Sequence, residues 1–261
     1  LEEEARQAGK SVAASTFERT SKKFWVPASK VSEVVCAVLE NLPIYSFEQP
    51  KRFSQNTTSV YFDSADLTLA KKRMVKLEGS QLIRFRWYNT VNEDTPVFVE
   101  RKVHHESWVK QSSVKERFNM KADSILEFIQ GGAKSAVRRK EDLSLFNEVQ
   151  STIRNLALKP MVTTRYSRTA FQSGLTDEVR VSLDRQLVML NEEGTDLRKA
   201  WHKTEFRQRD IHYFPYAVVE VKLHKHLVEN PPSWVGSLMA NNLMIPADRF
   251  SKFTHGCAVH H

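Results

Sequence analysis

The chain has 261 residues, of which 41% are hydrophobic and 27% are charged, a composition that excludes a wholly disordered protein. Eight glycines, nine prolines and two cysteines exclude collagen-like and low-complexity sequences, a disulfide scaffold and a cysteine-rich zinc site. Because no apolar run approaches the about 20 residues of a transmembrane helix, we expect a soluble protein of a reducing compartment. The net charge of +8 indicates an anionic partner: nucleic acid, an acidic membrane surface or a phosphate-rich ligand.

The first predicted elements are a strand and an amphipathic helix. Residues 20–26 have the pattern of a strand. Residues 31–42 carry valines and leucines at helical spacing, Ser29 is suited to be the N-cap, and Pro43 ends the helix. Residues 1–20 begin with a charged stretch and are interpreted as a helical or frayed extension, and the abrupt start suggests a fragment of a longer protein.

Strands dominate the rest of the chain. Helices are predicted over residues 121–130 and 141–156 and after Pro231 and Pro232. Residues 191–213 follow neither helical nor strand periodicity, which predicts a long loop of the kind that often forms a lid. The predicted strands cover residues 59–62, 82–88, 96–104, 113–118, 161–171, 179–183 and 216–223. This order of elements predicts an α+β fold with a mostly antiparallel sheet or barrel.

Charged side chains recur at every second position of six strands and therefore share strand faces. Opposite them lie apolar residues such as Val99, Val219 and Val221. One interpretation is a half-exposed sheet with a wetted polar face. The other is a closed barrel whose cationic interior holds an anion, since buried unpaired cations are otherwise unfavourable. The face-sharing groups are Arg84 and Arg86; Glu100, Lys102 and His104; Lys115 and Arg117; Thr163, Arg165 and Ser167; Arg180, Ser182 and Asp184; and Glu220 and Lys222.

The acidic residues among these cations have two possible roles. Glu220 is either an ion-pair partner of Lys222 or a ligand for Mg²⁺ or Mn²⁺. Asp184 suits either role, Glu100 is interpreted as a pairing partner, and His104 is either a phosphate donor or a satisfied core histidine. The chain has no P-loop, dinucleotide-binding, nucleophile-elbow or zincin motif.

Five segments occur in an order that resembles a known family. They read RFRWY at 84–88, FVERKVH at 98–104, SVKERF at 113–118, YAVVEVK at 216–222 and FSKFTHG at 250–256. Together they resemble the polyphosphate polymerase domain of the vacuolar transporter chaperone family, one of the triphosphate tunnel metalloenzymes. The resemblance extends from about Lys23 to Gly256.

This resemblance implies an antiparallel β-barrel, the triphosphate tunnel fold, with a polar, cationic interior and helices outside. Glu220 corresponds to the metal-binding glutamate, for Mn²⁺ or Mg²⁺. A single acid stands where many tunnel enzymes have a pair, which implies a thin protein coordination sphere. Arg249 stands where we associate the family with lysine. The residues placed at the catalytic site are Arg84, Arg86, Lys102, His104, Lys115, Arg165 and Arg180, and those placed at further phosphate- or nucleotide-binding positions are Lys23, Lys222, Arg249, Ser251 and Lys252.

The implied function is an ATP-dependent polyphosphate polymerase that transfers the γ-phosphate of ATP to a growing chain and releases ADP. The alternatives are a tunnel triphosphatase and a non-catalytic polyphosphate-binding subunit; nucleic-acid binding is a charge-based rival, although no nucleic-acid partner is expected. The implied partners are ATP, polyphosphate or pyrophosphate, and other subunits of a membrane-embedded complex at the vacuole or acidocalcisome, with this domain facing the cytosol. We assign residues 21–256 to the domain and 257–261 to a tail.

Overall fold

The computed structural model describes residues 19–47, 51–105, 114–176 and 178–261. Within these residues there are ten strands and six α-helices. The strands are β1 (Arg19–Pro27), β2 (Gln55–Asp63), β3 (Gln81–Tyr88), β4 (Pro96–Val103), β5 (Val114–Lys121), β6 (Lys159–Gln172), β7 (Val179–Asn191), β8 (Ile211–Tyr213), β9 (Tyr216–His224) and β10 (Ile245–Pro246). The helices are α1 (Val31–Leu39), α2 (Thr68–Met74), α3 (Ile125–Gln130), α4 (Leu143–Asn155), α5 (Ser233–Ala240) and α6 (Lys252–His260).

The predicted α+β fold with an antiparallel sheet is confirmed. The strands are hydrogen-bonded in the order β10-β1-β9-β7-β6-β2-β3-β4-β5, and β8 pairs with β7. Pairing is antiparallel between β1 and β9, β2 and β3, β3 and β4, β4 and β5, and β7 and β9. Closure of these strands into a tunnel stays a prediction.

Every strand predicted from the sequence is present, with shifted ends. The strand predicted over residues 59–62 is longer in the structure, where β2 runs over Gln55–Asp63. The strand predicted over residues 179–183 is also longer, since β7 continues to Asn191. Most of the predicted extension lies in residues 1–18, outside the described residues, as does Ser113 at the start of the predicted fifth strand.

The predicted helices are confirmed, but Ser29 is not the N-cap of the first one. A 3-10 turn over Ala28–Lys30 leads directly into α1, so Lys30 occupies the capping position. Gly131 ends α3 with φ of 105°, a conformation that glycine adopts without strain. The sequence analysis missed α2 and α6, and α6 includes most of the predicted tail.

The described chain divides into two compact units, and β6 and β7 contribute residues to both. Among the described residues, unit 1 comprises those within 19–55, 167–187 and 214–249, and unit 2 comprises those within 56–166, 188–213 and 250–261. In unit 1 the apolar faces of β1, β7 and β9 pack against α1 and α5. The buried residues of that core include Phe24, Val34, Val38, Val181, Val219, Val221, Val235 and Leu238.

Unit 2 has its own core between the apolar faces of β2–β5 and the helices α3 and α4. Because the apolar faces of the strands pack against helices in each unit, the predicted separation of apolar and charged strand faces is confirmed. The buried residues of the unit 2 core include Phe62, Phe85, Val99, Phe118, Phe128, Phe146 and Val149.

The predicted loop over residues 191–213 is present except at its ends, since Asn191 belongs to β7 and Ile211–Tyr213 form β8; buried contacts anchor the loop to unit 2. The carboxylate of buried Glu192 accepts hydrogen bonds from the Thr163 hydroxyl (2.6 Å) and the backbone N–H of Lys203 (2.8 Å). Trp201 is also buried, with its ring 5.2 Å from that of Trp87. These anchors argue against a lid.

No helix in the described parts of the chain is long and apolar enough to cross a membrane.

Candidate functional site

The charged face of β3–β5 in unit 2 is organised around one buried carboxylate. Strand register places Arg84 opposite Glu100, and Lys102 opposite Lys115. Nε of Arg84 donates to Oε2 of Glu100 at 2.6 Å, and Nζ of Lys115 lies 2.6 Å from Oε1 of the same residue. Glu100 is fully buried. One carboxylate therefore holds two cationic side chains.

Two tyrosines complete the contacts of the arginines. Nη1 of Arg84 donates to the Tyr61 hydroxyl at 3.3 Å, and Nη2 of Arg86 donates to the Tyr166 hydroxyl at 3.1 Å. Nε of Arg86 donates to the Ser59 hydroxyl at 2.9 Å. Both arginines are buried, so these contacts fix the guanidinium groups.

Helix α6 brings a further cation to this face. Nζ of Lys252 lies 4.5 Å from the centre of the Tyr166 ring. The helix packs closely on β6 at Gly256, where a Cβ atom would lie only 2.5 Å from Cγ1 of Val162. A glycine is therefore required for this position of α6. We call the whole group the unit 2 cationic face; it comprises Tyr61, Arg84, Arg86, Glu100, Lys102, Lys115, Tyr166 and Lys252.

The positive charge of this face exceeds what Glu100 balances. Burial raises the pKa of Glu100, but the charges of Arg84, Arg86 and Lys115 outweigh it and hold the pKa well below its usual range. The charge of Arg84, followed by burial, holds the pKa of Lys102 well below its usual range. A bound anion would balance the remaining positive charge.

Lys115 is perturbed in the same direction. Burial and the charge of Arg84 lower its pKa to about 8, although Glu100 acts in the opposite direction. Because 43% of its side chain is exposed, water screens part of the repulsion, and Lys102 is the more strongly perturbed lysine. A multiply charged anion would stabilise the protonated form of both.

The charged face of unit 1 centres on Glu220. Register places Glu220 opposite Lys23 on β1 and opposite Ser182 on β7, and Lys222 opposite Arg180. Oε2 of Glu220 lies 3.9 Å from Nζ of Lys222, and 21% of the Glu220 side chain is exposed. We call this group, together with Arg168 and Asp184, the unit 1 Glu220 face.

Asp184 is engaged with an arginine. Nε and Nη2 of Arg168 donate to its two carboxylate oxygens at 2.6 and 2.8 Å. Asp184 is buried, so the pair is well protected from water. Of the two roles that the sequence left open for Asp184, the structure favours ion pairing.

Arg165 shares a face of β6 with Thr163, as the alternation predicts, but this is not the face on which Tyr166 meets Arg86. Alternation along β6 turns Tyr166 toward Arg86, and Arg165 therefore points away. Its exposed guanidinium lies 5.4 Å from the ring of Phe206, while Thr163 is bonded to Glu192. Tyr61 and Tyr166, which were not predicted as site residues, lie on the cationic face. The sequence signal for Tyr166 was its position two residues before Arg168, which puts both side chains on one face of the strand.

The structure gives the local environment of three other predicted residues. The hydroxyl of Ser251 caps α6 by accepting from the N–H of Thr254 at 3.4 Å. Arg249 is exposed in unit 1. His104 follows the end of β4 and is held by its backbone, whose N–H donates to the carbonyl of Ser80 at 3.0 Å.

Glu220 alone supplies few metal ligands. No group of three or more His, Cys, Asp or Glu side chains in the described part of the chain is arranged to hold a metal ion. The cross-strand neighbours of Glu220 are a lysine and a serine. The donor set fits a divalent cation that brings phosphate oxygens or water as its other ligands.

Comparison with known families identifies the group to which the chain is related. The family model described as VTC domain matches residues 18–261. The chain belongs to the VTC domain family. The family resemblance of the five sequence segments is therefore confirmed.

Curated relatives of the VTC domain show the same similarity. The chain is 34% identical to vacuolar transporter chaperone complex subunit 4 of Schizosaccharomyces pombe, over 95% of the chain and 38% of the relative. It is 32% identical to subunit 4 of Trypanosoma cruzi, over 95% of the chain and 35% of the relative. With subunit 2 of Schizosaccharomyces pombe the identity is 28%, over 94% of the chain and 38% of the relative. The chain thus spans less than two fifths of each of these proteins.

Proposed function

We propose that this VTC domain is an ATP-dependent polyphosphate polymerase. The observation that carries the proposal is the unit 2 cationic face, which has five cationic side chains and one carboxylate, Glu100, that contacts two of them, Arg84 and Lys115. A chain of phosphates supplies repeated negative charges at close spacing. Planar, buried guanidinium groups are suited to bind phosphate oxygens through paired hydrogen bonds.

The proposed reaction is an in-line phosphoryl transfer. A terminal phosphate oxygen of the growing chain attacks the γ-phosphorus of ATP, a new P–O bond forms, and the bond to the β–γ bridging oxygen breaks to release ADP. The attacking oxygen is already ionised, so the step requires no protein base. Arg84, Arg86 and Lys102 would position the phosphates and balance charge in the transition state.

Glu220 is the proposed metal-binding residue, for Mn²⁺ or Mg²⁺ held jointly with phosphate oxygens. Such an ion would neutralise charge on the phosphate oxygens that it binds. Lys23 and Lys222, which neighbour Glu220, would bind phosphate beside it. Arg180, opposite Lys222, is proposed to act with them.

The names of the relatives suggest the setting of this activity. They are subunits of a vacuolar transporter chaperone complex. We propose that the chain assembles with other subunits of such a complex at the vacuole or acidocalcisome membrane, with this domain facing the cytosol.

The direct test is incubation of the purified chain with ATP, Mn²⁺ and a pyrophosphate primer. We expect polyphosphate longer than triphosphate and an equivalent amount of ADP, and no polymer when the metal is chelated. Orthophosphate without polymer would replace the proposal with a triphosphatase. Binding of polyphosphate with neither product would replace it with an accessory, non-catalytic role.

A further inference from the structure

A basic and apolar segment of unit 2 comprises the end of α2 and the start of the turn that joins it to β3. We call residues 71–77 the basic tip. The exposed fractions of Met74, Val75 and Leu77 are 66%, 73% and 48%. Lys71, Lys72 and Lys76 are exposed beside them. The tip contains no acidic residue, so it combines contiguous apolar surface with positive charge.

The structure holds the basic tip in place from both sides. Before it, the buried carboxylate of Asp63 accepts hydrogen bonds from the backbone N–H groups of Leu69 and Ala70, each at 2.8 Å. Behind it, Nη1 of Arg73 donates to the carbonyl oxygen of Ser80 at 3.1 Å. The exposed apolar side chains are therefore presented by an anchored turn.

The backbone at the C-terminal end of α2 favours a functional role for the side chain of Lys76. The N–H of Leu77 donates to the carbonyl of Lys72 at 3.0 Å, and that of Lys76 donates to the carbonyl of Arg73 at 3.2 Å. This is the Schellman arrangement, in which glycine is the usual residue at the left-handed position. Here Lys76 occupies it with φ of 53°, a conformation that is unfavourable for a residue with a side chain.

The chemistry of the basic tip fits an anionic lipid surface better than a protein partner. Three apolar side chains on one turn provide much less than the roughly 800 Å² that each partner of a stable protein complex buries. Apolar side chains inserted at the boundary of headgroups and acyl chains, with lysines among anionic headgroups, form a membrane contact of this size. We infer that the basic tip binds the surface of an anionic phospholipid bilayer. This inference does not depend on the proposed polymerase activity.

Vesicle binding by the 261-residue chain tests the inference without ATP or metal. We expect binding to vesicles of phosphatidylcholine with phosphatidylserine, and little binding to phosphatidylcholine alone. The triple variant Lys71→Ala, Lys72→Ala, Lys76→Gly should bind on the order of 100-fold more weakly, since each lysine near such a surface contributes about fivefold. Glycine at position 76 suits the left-handed backbone, so this change should not unfold α2.

The apolar side chains give a second, separable effect. The double variant Met74→Ser, Val75→Ser should bind at least about tenfold more weakly, because it loses the inserted apolar surface while the lysines remain. Leu175→Ser is the matched control, because Leu175 is 95% exposed on a turn outside the tip. Melting temperatures of all variants check that each is folded.

Insertion is measured directly with a dye that reports polarity. We would attach it at Val75→Cys in a Cys36→Ser background, since Cys36 is exposed and Cys257 is buried. A blue shift with phosphatidylserine vesicles and none with tripolyphosphate is the expected result. Equal binding to both vesicle types, undiminished binding of the triple variant, a shift caused by tripolyphosphate, or a shift caused by self-association would each overturn the inference.

Discussion

The two charged faces of this protein use their carboxylates differently. On the unit 2 cationic face, Glu100 is fully buried and lies 2.6 Å from nitrogen atoms of both Arg84 and Lys115. On the unit 1 Glu220 face, the Glu220 side chain is 21% exposed and its contact with Lys222 spans 3.9 Å. Residues of the same chemical type, on strands with the same alternation, therefore have different environments.

This difference in burial agrees with the proposed roles, in which Glu100 neutralises cationic side chains and Glu220 binds a metal ion. A buried carboxylate with two close cations is committed to neutralising them, and removing it leaves buried positive charge. A partly exposed carboxylate, whose contact with Lys222 spans 3.9 Å, is more accessible to another cation. We therefore expect substitution of Glu100 to affect stability, and substitution of Glu220 to affect activity.

The largest expected effect on stability comes from Glu100→Gln. Loss of the negative charge leaves Arg84 and Lys115 without their shared partner and should lower the free energy of unfolding by about 3 kcal/mol or more. Urea denaturation measures this loss, and tripolyphosphate should recover part of it by mass action. Glu116→Gln is the control, because its pairing with Arg101 is more exposed and should contribute below about 1 kcal/mol. Equal effects of the two changes would contradict the assigned role of Glu100.

Glu220→Gln should reduce activity much more than stability, which is the reverse of the expectation for Glu100→Gln. We expect polymer synthesis with Mn²⁺ to fall by about 100-fold or more, because the charge that binds the cation is lost. The free energy of unfolding should change by less than about 1 kcal/mol, since Glu220 is partly exposed and its ion pair is long. Glu178→Gln, on an exposed residue paired with His226, serves as control. Wild-type synthesis by Glu220→Gln would show that Glu220 is only an ion-pair partner.

Within the cationic face, Arg84→Ala and Lys102→Ala should separate binding from stability. Each should remove a phosphate contact worth about 1.5–3 kcal/mol and reduce the rise in melting temperature that tripolyphosphate produces. Without ligand, Arg84→Ala should destabilise the protein because Glu100 and Tyr61 lose their donor. Lys102→Ala should be neutral or stabilising, since neighbouring charge already disfavours its ammonium form. An undiminished ligand shift in both variants would exclude these residues from the anion site.

The smallest expected effect is a pH dependence from Lys115, whose pKa is lowered to about 8. Tripolyphosphate affinity should fall by up to about tenfold as the pH rises from about 7 to about 9, because the ammonium loses its proton. Binding near pH 8 should therefore take up protons, and titration calorimetry in buffers of different ionisation enthalpy measures this uptake. Lys102 should add to the change in the same direction.

The stability of the ligand-free protein should change with pH in the direction opposite to the tripolyphosphate affinity. The folded state releases the Lys115 proton near pH 8, whereas the unfolded chain retains it to about 10.5. The unfolded state therefore binds more protons between these values, and the free energy of unfolding should rise with pH there. Lys115→Met should remove this contribution and Lys140→Met, at an exposed position, should not; a dependence unchanged by Lys115→Met would assign it elsewhere.

Strand alternation predicted much of the fold and of the charged faces. The register confirms that Arg84 and Glu100 share a face, as do Glu220 and Lys222, with Val99 and the neighbouring valines on the opposite side. These assignments succeeded because a strand with one apolar side has only one orientation that buries it. The helices after Pro232 and before Gly131 were likewise predicted correctly, because these residues indicate where one helix begins and the other ends.

The failures have equally specific causes. On β6 the sequence offers a basic residue on each face, Arg165 and Arg168, and periodicity alone cannot choose between them; the structure places Tyr166 with Arg86. Helix α2 has only seven residues, too few to show a period. Its first N–H groups are bound by the carboxylate of Asp63, six and seven residues earlier, a longer spacing than that of an ordinary N-cap.

The strand order of unit 1 also affects how the chain must fold. Register pairs Arg19 with His224 and Phe24 with Val219. Strand β1 therefore cannot pair with β9 until β9 has been synthesised. At roughly 5–20 residues per second, synthesis of the intervening chain takes about ten to forty seconds. During that time β1 presents an unpaired edge and the apolar side chains of Phe24 and Val26 to the ribosome surface and to chaperones. Contacts of such long range slow folding, so the first of the ten described strands is among the last of them to gain its partner.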